Sequence, residues 1–414
     1  MRVLIVEDEP EKKRLVTEAV MSANDMAYSR VSIAGDLVEA KQLLSSNKYE
    51  LIILDINIPR RADMAVETGL GLQLLDFIKN NNKAIKPTYV IGMSAYEDGA
   101  QAAVEEFNFP LWRFITFSYS DLTWQGDIRA VVEYLNESNI PPYKADGKNF
   151  HIDLCVFVAL EEELKSILEL DANWEEFRIP HDDARYYKGS FKNSTKNLKV
   201  VAVASPEMGM PSAAVFASKL IHTFRPKYLG ITGICAGLKS KTAMGDILIS
   251  DPCFDLGSGK LAYVQAESRT KFLPALYQRR LNDSLRTDLK AAGDDKSLID
   301  RIWRNYDHKR PDHPPKVIIG PMGSGGSVIQ STEIMEQAKE RHKNLIGIEM
   351  ESYSVFAAAE FASHPKPLCF SIKSVCDFGD SEKSDDYHDF AAYTSSRFLY
   401  EFALSKLVPI DAEI

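Results

Sequence analysis

The chain opens with a short, wholly apolar run, Val3–Val6, closed by two acids, Glu7 and Asp8. Apolar positions then recur at helical spacing over Glu11–Ser22, alternate like a strand over Tyr28–Ala34, and return to helical spacing over Leu37–Ser45. Leu51–Leu54 is again entirely apolar and runs into Asp55. A helix over Gly71–Lys79, a strand over Tyr89–Met93, a helix over Gly99–Phe107, a strand over Arg113–Phe117 and a helix over Ile128–Leu135 complete the series. Five strand–helix units predict a doubly wound, flavodoxin-like α/β sheet. Two strands that end in carboxylates, about one βαβ repeat apart, predict one acidic pocket at the carboxyl edge of that sheet.

The pattern breaks at Glu137–Asn149, where ESNIPPYKADGKN carries two prolines and a glycine and has no apolar period. A second alternation follows. Strands are expected at Ile152–Val158, Leu198–Ala204, Tyr228–Thr232, Asp246–Ser250, Lys316–Ile319, Asn344–Ile348 and Leu368–Ser374. Helices are expected at Pro211–Thr223, Ser331–Arg341, Tyr353–Ser363 and Tyr387–Lys406. The expected organisation is therefore a front domain over residues 1–137, a linker over 138–149 and a larger α/β domain over 150–414. The stretch 269–316 interleaves basic and acidic residues and reads as a solvated face.

A length of 414 residues fits two or three domains. The net charge of -10 argues against a nucleic-acid partner. No apolar run approaches the roughly 20 residues that cross a bilayer, and a strand starting this early leaves no room for a signal peptide. The five cysteines, Cys155, Cys235, Cys253, Cys369 and Cys376, lack metal-ligand spacing and are odd in number. Free thiols in a reducing cytoplasm are the expectation.

The motifs VLIVEDEP, IILDINIP and IGMSAY give the front domain its resemblance to the receiver domains of two-component response regulators. The resemblance implies that Glu7 and Asp8 hold Mg²⁺ together with Asp55 and the backbone carbonyl near Asn57. It also implies that Asp55 accepts a phosphoryl group and that Ser94 reads it. Clustered carboxylates repel one another, and a hard divalent ion relieves that repulsion. Two departures stand out. Thr116 and Phe117 occupy the positions where the family has Lys-Pro, leaving Lys86 or Arg113 to supply a substitute charge. The segment between Ile58 and Gly71 is lengthened around RRADMAVET. The alternative is a receiver that only docks or dimerises.

The rear domain carries, in order, ALEEEL, MGMPSAA, TGICAGL, MGDILISD, GPMGSGGSVI, IGIEMES and SVCDFGD, each near an expected strand end. This order resembles the nucleoside phosphorylase and nucleosidase superfamily, and most of all the methylthioadenosine/S-adenosylhomocysteine nucleosidases. The resemblance implies that Asp377 is the acid that protonates the departing purine, and that Glu163 orients and deprotonates the attacking water. It places Glu351 on the ribose hydroxyls, with Glu349 beside it, and makes Met350 an apolar ribose contact. Ile329 stands where main-chain groups read the purine edge. Val328 replaces an aromatic stacker, so that stacking weakens or passes to another ring such as Phe254. The reaction needs no cofactor. Helix-capping roles are the alternative for Glu163, Glu349, Glu351 and Asp377 taken singly. Cys235 and Cys376 read as small buried hydrophobes.

Phosphorylases need groups that hold inorganic phosphate. Here Ile231 and Ile234 stand at positions where they carry Arg and Ser, and three acids follow the first strand. That favours water as the nucleophile. For a 5′-triphosphate the cationic candidates are Lys260, Arg269, Lys271, Lys309 and Arg310. A receiver fused to a nucleosidase also resembles the effectors of Detocs-type antiphage two-component systems. That resemblance implies a sensor histidine kinase as partner and ATP as substrate, cleaved to adenine and ribose 5′-triphosphate. A homo-oligomer is expected. The alternatives are a salvage nucleosidase or phosphorylase with a vestigial receiver, and a non-catalytic purine-binding module.

Overall fold

The computed structural model describes the chain except residues 24, 25, 27, 96–106, 108–110, 266, 267, 276, 382–384 and 412–414. The chain divides into two compact units, Met1–Ile140 with Asp411–Ile414, and Pro141–Ile410. The first part of the expected linker therefore closes the front unit, since the helix Thr123–Ser138 runs into it. From Pro141 onward it belongs to the rear unit, where Tyr143 stacks on His151 and its N–H reaches the Thr223 carbonyl at 2.9 Å.

In the front unit the strands Val3–Val6, Val31–Ala34, Leu51–Asp55, Tyr89–Ser94 and Trp112–Thr116 form one parallel sheet. In space their order is second, first, third, fourth, fifth. Alternate residues face opposite ways, so Val3 and Ile5 pack beneath the helices Pro10–Met21 and Thr123–Ser138. Leu4 and Val6 pack against Leu37–Ser46 and Leu70–Asn80 on the other face. Cover on both faces is why these strands are continuous apolar runs. The expected strand Tyr28–Ala34 begins as a 3₁₀ turn, Tyr28–Arg30, and is extended only from Val31. The lengthened segment folds into a small antiparallel hairpin of Ile58–Pro59 and Val66–Glu67. The helix expected over Gly99–Phe107 lies, apart from Phe107, outside the described residues.

The rear unit is built on a mixed ten-stranded sheet. Ile152–Val158 lies between Asn197–Ala204 and Pro226–Gly237, all parallel. Pro226–Gly237 continues to Leu368–Asp377, then Ile247–Asp255, Val317–Ser324 and Gly347–Glu349, and the last strand pairs back to the first. Five strands thus close a ring. Four strands, Pro226–Gly237, Ile247–Asp255, Val317–Ser324 and Leu368–Asp377, end beyond the expected spans because the motif residues after each apolar run continue the ladder. The strand expected over Asn344–Ile348, by contrast, is only Gly347–Glu349. The helix His388–Lys406 is buried along Phe390, Phe398 and Phe402. The stretch read as a solvated face holds two amphipathic helices, Asp283–Gly293 and Lys296–Arg304, capped by the side chains of Asn282 and Asp295. Leu285, Leu289, Ile299 and Ile302 are their buried stripe. Among the described residues no helix is long and apolar enough to cross a membrane.

Candidate active site and receiver pocket

In the front unit, Glu7 follows the first strand and Asp55 ends the third. One oxygen from each of Glu7, Asp8 and Asp55 lies within 4.8 Å of the others, a set of hard donors that fits Mg²⁺. Asp55 Oδ1 accepts the N–H of Asn57 at 3.0 Å, and the Asn57 side chain accepts the N–H of Gly69 at 2.9 Å, fixing the loop. Gly71 is required there: a Cβ would stand 2.4 Å from the Asp55 carbonyl oxygen. Ser94 ends the fourth strand, buried, and is paired in register with Thr116.

Lys12, which sequence reasoning passed over as one charge in a helical EKKR, is buried in this pocket. Its ammonium bonds the Asp55 carboxylate and reaches Glu7 Oε2 at 3.0 Å. It lies 5.2 Å from the centre of the Phe117 ring. Arg113 is turned to Asp127 at 3.0 Å on the surface, and Lys86 is exposed, so neither supplies the substitute charge. Burial pushes the Glu7 carboxyl up to about 7, against the pull of Lys12 and with the push of Asp55. Burial opposes the Lys12 charge, but Asp55 and Glu7 outweigh it and hold the ammonium above its ordinary value.

In the rear unit a cavity of about 200 Å³ opens at the strand ends. Glu163, Val328, Ile329, Glu349, Met350, Glu351 and Asp377, far apart in the chain, all line it. Glu163 is the third residue of the helix Glu161–Leu168 and turns back to accept the N–H groups of Ala159 at 2.8 Å and Leu160 at 3.0 Å. Its other oxygen takes the N–H of Ile234 at 2.8 Å. The approach requires Gly233, whose φ is +144° and whose Cβ would fall 1.9 Å from Glu163 Oε1. Burial raises the Glu163 carboxyl above its ordinary value, opposed by Lys373.

Glu351 is buried and accepts the N–H of Gly209, from MGMPSAA, at 2.9 Å. Glu349 lines the cavity, but its oxygens are engaged by the Ser324 hydroxyl and by the N–H groups of Glu351 at 2.9 Å and Ser352 at 2.7 Å. That makes it an anchor for the turn into the helix Ser352–Phe361. Asp377 ends the strand Leu368–Asp377. A bulge makes Cys235 pair with Val375 and Ala236 with Asp377, so Cys376 is the extra residue that re-aims the acid. Asp377 accepts the Gly379 N–H at 2.7 Å and the Cys376 thiol at 3.3 Å.

Lys373 was missed. It is a single cation in the apolar strand LCFSIKSVCD, 1% exposed, 3.5 Å from Glu351 and 3.9 Å from Glu163. Its burial disfavours the charge, but Glu163, Glu351 and Glu349 hold it above the ordinary lysine value. The one basic residue in an otherwise apolar and serine-bearing strand run was the available signal. Met208 and His388 also line the cavity. Phe254 does not: it is fully buried and stacked 5.2 Å from His342, so it cannot stack on a ligand. None of Lys260, Arg269, Lys271, Lys309 and Arg310 reaches the lining either. Lys309 pairs with Asp386 at 2.6 Å, and Arg310 donates to the carbonyls of Trp303, Arg304 and Tyr306. Cys235 is buried with its thiol pushed up by desolvation, which fits a packing residue.

Residues 153–405 match the family model described as Phosphorylase superfamily. The chain belongs to the phosphorylase superfamily. Residues 3–116 match the model for the response regulator receiver domain, so this superfamily member has a receiver in front. Protein y4jS of Sinorhizobium fredii, itself uncharacterized, is 27% identical over 99% of this chain and 100% of its own length. ATP nucleosidase Cap17 of Escherichia coli is 24% identical over 54% of this chain and 45% of its own. A 5′-methylthioadenosine/S-adenosylhomocysteine nucleosidase of Desulfotalea psychrophila is 24% identical over 56% and 86%. The chain thus spans y4jS fully but less than half of Cap17. The superfamily domain of this chain is of the nucleosidase type, the kind of enzyme that Cap17 and the Desulfotalea protein are named as.

Proposed function

We propose that the protein is a purine nucleosidase acting on an adenine nucleotide, with ATP as the leading substrate, under the control of phosphorylation at Asp55. The observation that carries the hydrolase is the single cavity that gathers Glu163, Glu351 and Asp377. Asp377 donates a proton to the purine as the bond between C1′ and the base nitrogen breaks, so the base leaves neutral. A water attacks C1′ and its proton goes to Glu163, which three backbone amides hold in place. Glu351 accepts from the ribose hydroxyls and stabilises the positive sugar. Lys373 keeps this acid group from repelling itself apart. Ile234 lines the cavity and Ile231 is buried in the core, so neither offers a phosphate ion a partner.

In the receiver, Glu7, Asp8, Asp55 and the carbonyl at Asn57 would hold Mg²⁺, which supplies charge neutralisation for the incoming phosphoryl group. A sensor kinase is the donor this chemistry needs. ATP is supported by the relatedness to Cap17. The apolar wall of Met208, Val328 and Met350 favours a second reading, a thioether substrate of the methylthioadenosine type.

The test is adenine release from ATP, adenosine and methylthioadenosine, with and without beryllofluoride. Release from ATP, raised by beryllofluoride and unchanged by added phosphate, is expected. Release that requires phosphate would make the protein a phosphorylase, and preference for methylthioadenosine would install the second reading. Asp377→Asn is expected to cut release by about 10²–10⁴-fold with the fold intact; a fully active variant removes Asp377 from the acid role.

A further inference from the structure

The receiver pocket contains a feature that its three acids do not account for. Lys12 is 2% exposed, and its ammonium is shared by Asp55 and Glu7, two of the groups that would bind a divalent ion. With all three carboxylates ionised, as they are when they hold a metal, one ammonium leaves a net charge of about -2, the charge one divalent ion cancels. The ion and the ammonium therefore fit together in charge but compete at Glu7, whose Oε1 already takes the Glu9 N–H at 3.0 Å and whose Oε2 the ammonium holds. An ammonium that loses Glu7 keeps Asp55, the residue that gains the phosphoryl group.

We propose that Lys12 is the phosphoryl-binding cation of this receiver, released from Glu7 when a divalent ion arrives and then paired with the phosphoryl oxygens on Asp55. This rests on the reading of Asp55 as phosphoacceptor. In the transfer, an Asp55 oxygen attacks phosphorus, an O–P bond forms, and the bond to the donor breaks with its electron pair leaving on the donor. The single charge of the carboxylate becomes close to two on the phosphoryl group. Lys12 is the ammonium already within reach of that site, and charge-assisted bonds of this kind are the strong ones.

The same ammonium faces Phe117, whose ring lies 5.0 Å from that of Trp124 and 4.8 Å from that of Tyr119. The Phe117 N–H is bonded to the Ser94 carbonyl at 2.9 Å. A shift of the ammonium is thus felt by the aromatic group that joins the fifth strand to the helix Thr123–Ser138. The signal enters through the helix Pro10–Met21, which carries Lys12, and not through a lysine at the end of the fifth strand, where Thr116 is followed by Phe117.

The experiment uses the full chain, with Mg²⁺ affinity from calorimetry and bound beryllofluoride from ¹⁹F NMR. Lys12→Met is expected to bind Mg²⁺ at least as tightly as wild type, because Glu7 is freed, and to lose about tenfold or more in beryllofluoride affinity. Lys12→Arg is expected to keep most of that affinity. Equal beryllofluoride affinity in wild type and Lys12→Met overturns the inference, as does loss of Mg²⁺ binding in Lys12→Met with the fold preserved. If Lys12→Met does not fold, wild type decides. Its Lys12 ¹⁵N side-chain resonance, assigned by its absence from Lys12→Arg, should move when beryllofluoride binds, and a fixed resonance overturns the inference. Wild type that takes up no beryllofluoride at all overturns the phosphoacceptor reading itself, an outcome distinct from all of these.

Discussion

The two units each gather three carboxylates at strand ends around one buried lysine, yet they treat that lysine differently. In the rear unit Lys373 is a strand residue in the middle of the sheet, 3.5–3.9 Å from its acids. The main chain holds the acid group as well: Glu163 by three backbone amides, Glu351 by one, and Glu349 by two amides and a hydroxyl. In the front unit Lys12 is on a flanking helix and bonds its acids directly, while Asp55 and Glu7 take one backbone amide each, from Asn57 and Glu9. A site whose acids are fixed by the main chain has its geometry before any ligand arrives, as catalysis needs. A site whose acids are held by a flexible lysine can exchange that partner for another cation, as a switch needs.

The comparison is broken most severely at Lys373. Lys373→Met leaves buried acids without a counter-charge, and a loss of about 3–5 kcal/mol in stability is expected from chemical denaturation, with base release falling at least about a hundredfold. A variant as stable as wild type would show that the rear acids carry no charge burden. Next comes Gly233→Ala, which drives a methyl group into the Glu163 carboxylate at a backbone angle that disfavours side chains. Base release should fall by about 10²-fold while substrate affinity changes far less; an unchanged rate would mean that Glu163 need not stay where it is.

The mildest test is pH. Burial raises the Glu163 carboxyl from its ordinary 4.5, so the folded chain holds that proton more tightly than the unfolded chain. The contribution of this group to stability is therefore full below 4.5 and is lost as pH rises through the raised value. A base must be ionised, so the acid limb of kcat/KM should lie above 4.5 and move further up in the destabilised but folded fraction of Lys373→Met. A limb at or below 4.5 would place the base elsewhere.

Much of this was legible in the chain because the motifs are contiguous. Seven residues read from short motif segments line one cavity, where the two parallel groups of strands meet across the antiparallel pairs of the ring. What escaped was whatever depends on distant partners. Lys12 meets Asp55 across 43 positions, and in the sequence it looks like any other helical lysine. The helices Asp283–Gly293 and Lys296–Arg304 were hidden because their charges dominate a short apolar stripe. Phe254 was one ring to which stacking could pass, but it turns inward and packs near Leu256 and Met335. The extra residue at Cys376, which aims Asp377, belongs to a pairing register that no single strand reveals.

The turned-back carboxylate of Glu163 has a consequence for measurement. It is the acceptor for the amides of Ala159 and Leu160, at the entry of its own helix, and of Ile234, on another strand. Deuterium can enter these three amides only when the carboxylate lets go, so their isotope exchange should rise and fall together. Three peptide protons from two distant segments thereby form a clock for one side chain, readable in the intact protein without substrate and without turnover.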